Sequence, residues 1–211
     1  MMQRLSPESF SQGIQELSDR DPDLAHIVEQ YGPPPLWERS PGFPTLLKII
    51  LEQQVSLSSA KAAYERLEEA IAPVTPERFL ELSDAELKAI GFSRQKARYG
   101  RELSNVILAG TLRLEDLEQQ SDVAVRMALM QVTGIGVWTS TIYLLMALGR
   151  LDVWPTGDIA LHSAIQQAKG LDKRPTSEEA RVISLEWQPW RAVAARILWH
   201  LYLSQKGRNY S

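Results

Sequence analysis

An all-α fold is the expectation for this chain, and three observations lead to it. Helix-start signals recur along the 211 residues. The apolar residues that follow them keep helical spacing. No run of alternating β-branched residues is long enough to read as a strand. Taken in order, Asp21-Pro22 places an N-cap carboxylate before a proline at the first helical position, and Gly32 with Pro33, Pro34 and Pro35 closes that helix. Thr75-Pro76-Glu77 opens a short helix, and capping boxes stand at Ser83…Glu86 and Thr176…Glu179. Gly91 after Ile90 reads as a C′ glycine, with Ser93 opening the next helix only two residues later, a break that looks like a degenerate helical hairpin. Val123, Val125, Met127, Leu129 and Met130 form an amphipathic stretch that runs into a turn, and a second apolar stretch, Ile142 to Leu148, leaves it. Asp158 stands before the helical pattern Ile159 to Ile165, where its plain role is an N-cap.

Composition narrows the function classes. A content of 44% hydrophobic residues is ample for a packed core in one large domain or two small lobes. With no cysteine, disulfides, thiol catalysis and cysteine-ligated zinc or iron–sulfur clusters are excluded. His26, His162 and His200 lack metal-ligand spacing and are expected at the surface or hydrogen-bonded in the core, so no catalytic metal and no cofactor is expected. The net charge of −3 argues against a protein that coats nucleic acid nonspecifically, yet allows a local basic face at Arg94, Lys96, Arg98 and Arg101. Met1 to Ser11 has no apolar stretch of the kind a secretory leader needs, and no segment approaches a membrane span, so a cytoplasmic, nucleoid-associated monomer without membrane contact is expected.

The segment Val132-Thr133-Gly134-Ile135-Gly136-Val137-Trp138-Thr139 carries the most information. Two glycines one residue apart allow a tight helix-to-helix turn that exposes consecutive backbone N–H groups, while Ile135 pins the turn to the core. Such a turn is an anion cradle. About twenty residues later comes Trp154-Pro155-Thr156-Gly157-Asp158.

These two segments, with Ile50-Leu51-Glu52-Gln53-Gln54-Val55-Ser56, Ile90-Gly91-Phe92-Ser93-Arg94-Gln95-Lys96-Ala97 and Trp187-Gln188-Pro189-Trp190-Arg191, resemble in order the motifs of the helix-hairpin-helix DNA glycosylase superfamily, and most of all its alkylated-base branch, the 3-methyladenine DNA glycosylase II type. The resemblance implies two helical lobes and a central DNA-binding cleft: residues 43–150 as a bundle bearing the hairpin, and residues 1–42 with 151–211 as a second lobe bearing the aspartate loop. It implies double-stranded DNA with damaged bases as the partner. Some relatives carry an iron–sulfur cluster near the C-terminus, which this chain lacks the cysteines to build.

By that resemblance Asp158 is the catalytic carboxylate. Breaking an N-glycosidic bond builds positive charge on the deoxyribose, which one fixed carboxylate stabilises while orienting the attacking water. The positive end of the helix that Asp158 caps helps keep it ionised, so the cap and the catalyst are compatible. Asp152 is expected to be an ordinary loop residue. A purine alkylated at a ring nitrogen leaves as a neutral base and needs little acid help, so one carboxylate suffices where ordinary glycosidases need two. Adenine-mismatch relatives place an acid four residues before the Gln-Gln pair. Here that position is Ile49, and Glu52 is expected to face solvent.

Bifunctional relatives, which nick the strand through a Schiff base, hold a lysine where this chain has Trp138. An indole forms no imine, so a monofunctional enzyme without lyase activity is implied. Trp138 and Trp190 are implied to read the base, with Tyr143 and Trp154 as weaker candidates. Ile142 stands where the branch has a pocket tyrosine. Trp187 and Trp199 are assigned to core. Gly134, Ile135, Gly136 and Thr139 are implied to grip a phosphate, with carbonyls of Met130, Val132 and Ile135 able to hold a monovalent cation. On residue pattern alone Gln53, Gln54 and Ser56 are two exposed amides and a cap. By resemblance Gln54, or a neighbour, wedges into the gap left by a flipped nucleotide, and Ser56, Arg94 and Lys96 contact DNA. The leading reading is excision of N3-methyladenine and N7-methylguanine types to leave an abasic site in base excision repair. The alternatives are a glycosylase for uracil, hypoxanthine or mismatched bases, and a non-catalytic DNA-binding protein.

Overall fold

A computed structural model describes residues 4–207, so the first three and last four residues of the expected second lobe lie outside the described range. In chain order the helices are α1 (Pro7–Arg20), α2 (Pro22–Tyr31), α3 (Phe43–Glu52), α4 (Leu57–Ile71), α5 (Pro76–Glu81), α6 (Asp84–Ile90), α7 (Arg94–Leu108), α8 (Asp122–Met130), α9 (Val137–Met146), α10 (Ile159–Ala168), α11 (Ser177–Ser184) and α12 (Arg191–Gln205). Short 3₁₀ turns lie at Leu114–Gln119 and Leu185–Trp187. Among the described residues the one β-type pairing is an isolated bridge from Arg4 to Arg150. The all-α expectation holds.

The local signals work by the mechanisms that suggested them. The Asp21 carboxylate accepts the Asp23 and Leu24 N–H groups at the start of α2, and Gly32 ends that helix at φ +78°. Ser83 and Thr176 form reciprocal capping boxes with Glu86 and Glu179. Ser56, Ser93 and Ser121 supply further hydroxyl caps to α4, α7 and α8. A Ser6–Ser9 capping box at α1 had no Glu or Gln to announce it, because serine takes the returning role.

The chain forms two compact units. One is Arg39–Leu148, with α3 at its centre. Phe43, Leu46, Leu47, Ile49, Ile50 and Leu51 are all buried, since α3 packs on α4, α7 and α9 and so is apolar nearly all round. Each such aliphatic side chain contributes about 1.5–3 kcal/mol of burial energy, which fixes α3 as the unit's frame. α8 and α9 form the hairpin pair. Only Val125 and Leu129 of α8 are buried, while Val123, Met127 and Met130 are exposed. The apolar stretch read from the sequence is therefore wider than the face that packs.

The other unit joins the chain up to Glu38 with the chain from Gly149 onward. α12 is its core and contacts α1, α2 and α10. Arg196 lies buried within it, donating from Nε to the Leu36 carbonyl and from Nη1 to the Ala192 carbonyl. Burial pushes its pKa down to about 9. Asp21, Trp187 and Lys169 form a second buried polar knot: the indole N–H and the ammonium both donate to the Asp21 Oδ2, at 2.7 and 3.3 Å.

Candidate functional site

In the first unit the hairpin turn spans residues 131–136. Gly134 sits at φ +92°, and a Cβ there would collide with the Tyr99 ring, so both backbone and packing demand glycine. Gly136 is different. Its backbone is extended, it is exposed, and a Cβ would meet nothing within 4 Å. No side chain caps the start of α9 behind it. Neither backbone dihedrals nor packing demands glycine at 136, which stands at the N-cap of α9.

Around this turn the structure corrects several expectations. Ile135 is buried as a pin, but its N–H is spent on the Val132 carbonyl at 3.0 Å and is not offered outward. Thr139 is 2% exposed, and its hydroxyl accepts from Gln53, so any contact it makes with DNA runs through its backbone. Trp138 is half-buried on the first turn of α9. Tyr143 is fully buried, its hydroxyl accepts the Gly42 N–H at 3.0 Å, and burial raises its pKa. It belongs to the core, not to a base-reading surface.

The α3–α4 turn also departs from the reading of two exposed amides. Gln53 Nε2 donates to the Gly134 carbonyl and to Thr139 Oγ1, both at 2.9 Å. Gln54 is exposed and, with Trp37, is one of two non-glycine residues at positive φ among the described residues, at +55°. Such a conformation is strained for a residue with a Cβ and persists only where the surroundings hold it. Ser56 is exposed and caps α4 by accepting the Ser59 N–H. Glu52, expected at the solvent face, instead has its side chain largely enclosed, 7% exposed: its carboxylate takes two hydrogen bonds from Arg39, at 3.0 and 2.7 Å. Ile49 is fully buried.

The basic face shrinks to Arg94 and Arg98, which are exposed. Lys96 turns inward and donates from Nζ to the Leu51 carbonyl at 2.6 Å, where burial lowers its pKa. Arg101 is held by the Leu82 carbonyl and Asp84. Both lysine and arginine serve helix ends, which helical spacing alone does not reveal.

In the second unit Asp158 caps α10. Its side chain is 9% exposed and its Oδ1 accepts the Leu161 N–H at 3.0 Å. Asp152, six residues earlier, is committed to Arg191, which donates from Nε and Nη2 to its two carboxylate oxygens at 2.7 and 3.0 Å. One turn into α10 lies His162, 6% exposed, with a buried Nε2 that has no hydrogen-bond partner among the described residues. Burial lowers its pKa, opposed by the nearby Asp158 carboxylate and assisted by Arg174. It is neither a surface nor a satisfied core histidine, and nothing in the sequence distinguished it.

Trp190 is corrected as well. It is 6% exposed, packs against Gly13 and donates from its indole to Glu16 at 2.6 Å, so its ring is already enclosed by its own unit. Trp154 is buried against Trp187, with ring centroids 5.5 Å apart. Trp187 and Trp199 are core, as assigned. Among the described residues no group of three or more His, Asp or Glu side chains is gathered to hold a metal ion, and no helix is long and apolar enough to cross a membrane.

A family model described as the HhH-GPD superfamily base excision DNA repair protein matches residues 47–189, which takes in the Gln-Gln turn, the hairpin and Asp158. The chain belongs to this superfamily. A Bacillus subtilis protein named provisionally as a DNA-3-methyladenine glycosylase is 32% identical over 184 residues. That match covers 83% of this chain and 64% of the relative, so the chain spans a little under two thirds of it. Among solved superfamily structures, the Schizosaccharomyces pombe 3-methyladenine DNA glycosylase in complex with abasic DNA superposes with a TM-score of 0.83 at 25% identity, covering 95% of this chain and 99% of that one. A DNA-3-methyladenine glycosidase of Bacillus halodurans gives 0.73 at 27% identity, covering 98% and 95%.

Proposed function

We propose that this chain is a monofunctional DNA glycosylase of base excision repair that hydrolyses the N-glycosidic bond of alkylated purines, of the N3-methyladenine and N7-methylguanine type, and leaves an abasic site. The observation that carries the reading is Asp158: a largely buried carboxylate fixed by a helix start, which the resemblance of its Pro-Thr-Gly-Asp segment points to as the catalytic aspartate, while the neighbouring Asp152 is spent on Arg191. The names of the relatives support the substrate class.

In the mechanism the C1′–N bond lengthens, the base departs with the bonding pair, and positive charge grows on the sugar. Asp158 stabilises that charge and orients the water whose oxygen bonds to C1′; its proton passes to the carboxylate or to solvent. An alkylated purine departs neutral, which removes the need for a second carboxylate. Trp138 supplies an electron-rich ring for a cationic purine and no amine for a Schiff base, hence no strand cleavage. Gly136 and the uncapped start of α9 receive a phosphate, Arg94 adds positive charge, and the carbonyls of Met130, Val132 and Ile135 would hold a monovalent cation that supplies further positive charge. Gln54 fills the space of the displaced nucleotide.

The test is release of methylated purines from duplex DNA by wild type and Asp158→Asn, with strand breaks scored before and after mild alkali. Release by wild type alone, with breaks only after alkali, is expected. Breaks before alkali overturn the monofunctional assignment, and an equally active variant overturns the role of Asp158.

A further inference from the structure

We infer that Gln53 is a positioning residue that locks the Gln54 finger to the hairpin, so that phosphate grip and nucleotide displacement act as one rigid piece. The inference rests on the proposed roles of the hairpin and of Gln54.

A carboxamide NH₂ offers two protons, and both are used here, one on the Gly134 carbonyl and one on Thr139 Oγ1. A carbonyl only accepts, so the amide orientation is fixed by its partners. The acceptors tie two parts of the hairpin together: Gly134 in the turn, packed over the Tyr99 ring, and Thr139 in the first turn of α9. Gln53 therefore spans the place where the phosphate is received.

The residue is equally fixed at its other end. α3 stops at Glu52, whose buried carboxylate is gripped by Arg39, and the preceding Leu51 carbonyl is held by Lys96 Nζ. Gln53 itself is extended at φ −61°, ψ 124°, and Gln54 follows at φ +55° with its side chain exposed. A left-handed residue persists only where its surroundings over-determine it. With α3 anchored behind and the hairpin clamped in front, the chain is left with one way to turn, and that turn projects Gln54 outward. Three anchors for one exposed amide exceed what a solvent loop between two helices needs.

The wedge is required in proportion to the pairing and stacking it must replace. A lesion opposite an abasic site has already lost its pair, so its release depends little on how well Gln54 is aimed. Single-turnover release of N7-methylguanine is measured from a duplex with cytosine opposite, and from the same duplex with an abasic site opposite. Gln53→Met, which keeps the length and removes both donors, is expected to slow the paired substrate about tenfold and the abasic-opposed one less than about threefold. Gln53→Asn keeps the amide but falls one methylene short, and is expected to shift the ratio in the same direction, which guards against loss of fold in the first variant. Equal slowing of both substrates, or of neither, overturns the inference. If Gln54→Ala leaves the ratio of rates unchanged, the wedge reading fails and takes this one with it. If Gln54→Ala shifts the ratio and the Gln53 variants do not, the coupling alone is wrong.

Discussion

α9 and α10, one in each unit, begin in opposite ways. α10 begins at Asp158, whose own carboxylate accepts a backbone N–H of its first turn. α9 begins at Gly136, exposed, with open space where a Cβ would stand and no side chain capping it. Both starts carry partial positive charge from N–H groups that point along the helix axis. At α10 a protein carboxylate meets that charge and is oriented by it. At α9 the charge is turned outward. α7 shows the ordinary solution, where the Ser93 hydroxyl accepts the Lys96 N–H. A capped start stabilises the fold, whereas an uncapped start in a well-packed hairpin is suited to stabilising something outside it.

The largest expected effect tests the α10 side. Asn caps a helix as well as Asp does, so Asp158→Asn should leave unfolding free energy nearly unchanged and lower base release by about 10²–10⁴. Single-turnover kinetics beside urea unfolding checks both halves, and a loss below tenfold breaks the assignment. Gly136→Asp then gives α9 the arrangement that α10 has. The new carboxylate meets the free helix end and repels phosphate, so DNA affinity should fall about tenfold while the melting temperature rises. Fluorescence anisotropy with a duplex lacking lesions reads the first effect, and unchanged affinity would remove the α9 start from the DNA interface. Gly134→Ala addresses the turn itself. Positive φ and the Tyr99 ring together predict about 1–3 kcal/mol of destabilisation, read by urea unfolding. Full stability there would show that Tyr99 yields freely and that only the outward face of the turn demands glycine.

The smallest effect concerns His162, below Asp158. Burial lowers its pKa from the ordinary 6.5. Above about pH 6.5 the ring is neutral in both folded and unfolded chains and brings no pH dependence. As pH falls below that value the unfolded chain binds a proton that the folded chain resists, so stability declines until pH has passed the lowered folded value. His162→Gln should flatten this part of the profile in thermal unfolding from pH 5 to 8. A variant with the same slope as wild type would place the dependence elsewhere, with Asp21 the next carboxylate to examine. Burial opposes the charge of Asp21, but the Trp187 and Lys169 donors hold its pKa low, so its contribution is lost only in more acid solution.

Much of this could be read in the sequence because it is local. The caps at Asp21, Ser83, Ser93, Asp158 and Thr176 act over two or three residues, and the positive φ at Gly91 and Gly134 is likewise a property of the local turn. The order of motifs sufficed for the superfamily. Side chains whose partners lie far along the chain were another matter. Gln53 finds its acceptors 81 and 86 residues away, and Lys96 finds its carbonyl 45 residues back. Glu52 has the composition of a solvent-facing helix residue and became a buried ion pair only because Arg39 folds over it. Trp190, expected to read the base from its motif, and Tyr143, a weaker candidate, each have their polar atom claimed by their own unit.

By itself, then, the sequence determined that the chain is helical, where most helices begin, which turn carries the paired glycines and which aspartate stands at a helix start. Those properties depend on backbone dihedrals and on hydrogen bonds closed within one turn. Only the tertiary structure decided which of the polar and aromatic candidates remain available, because availability is what is left after packing has chosen partners. That choice took Thr139, Lys96, Tyr143 and Trp190 inward, and left Gly136, Gln54 and Arg94 facing out.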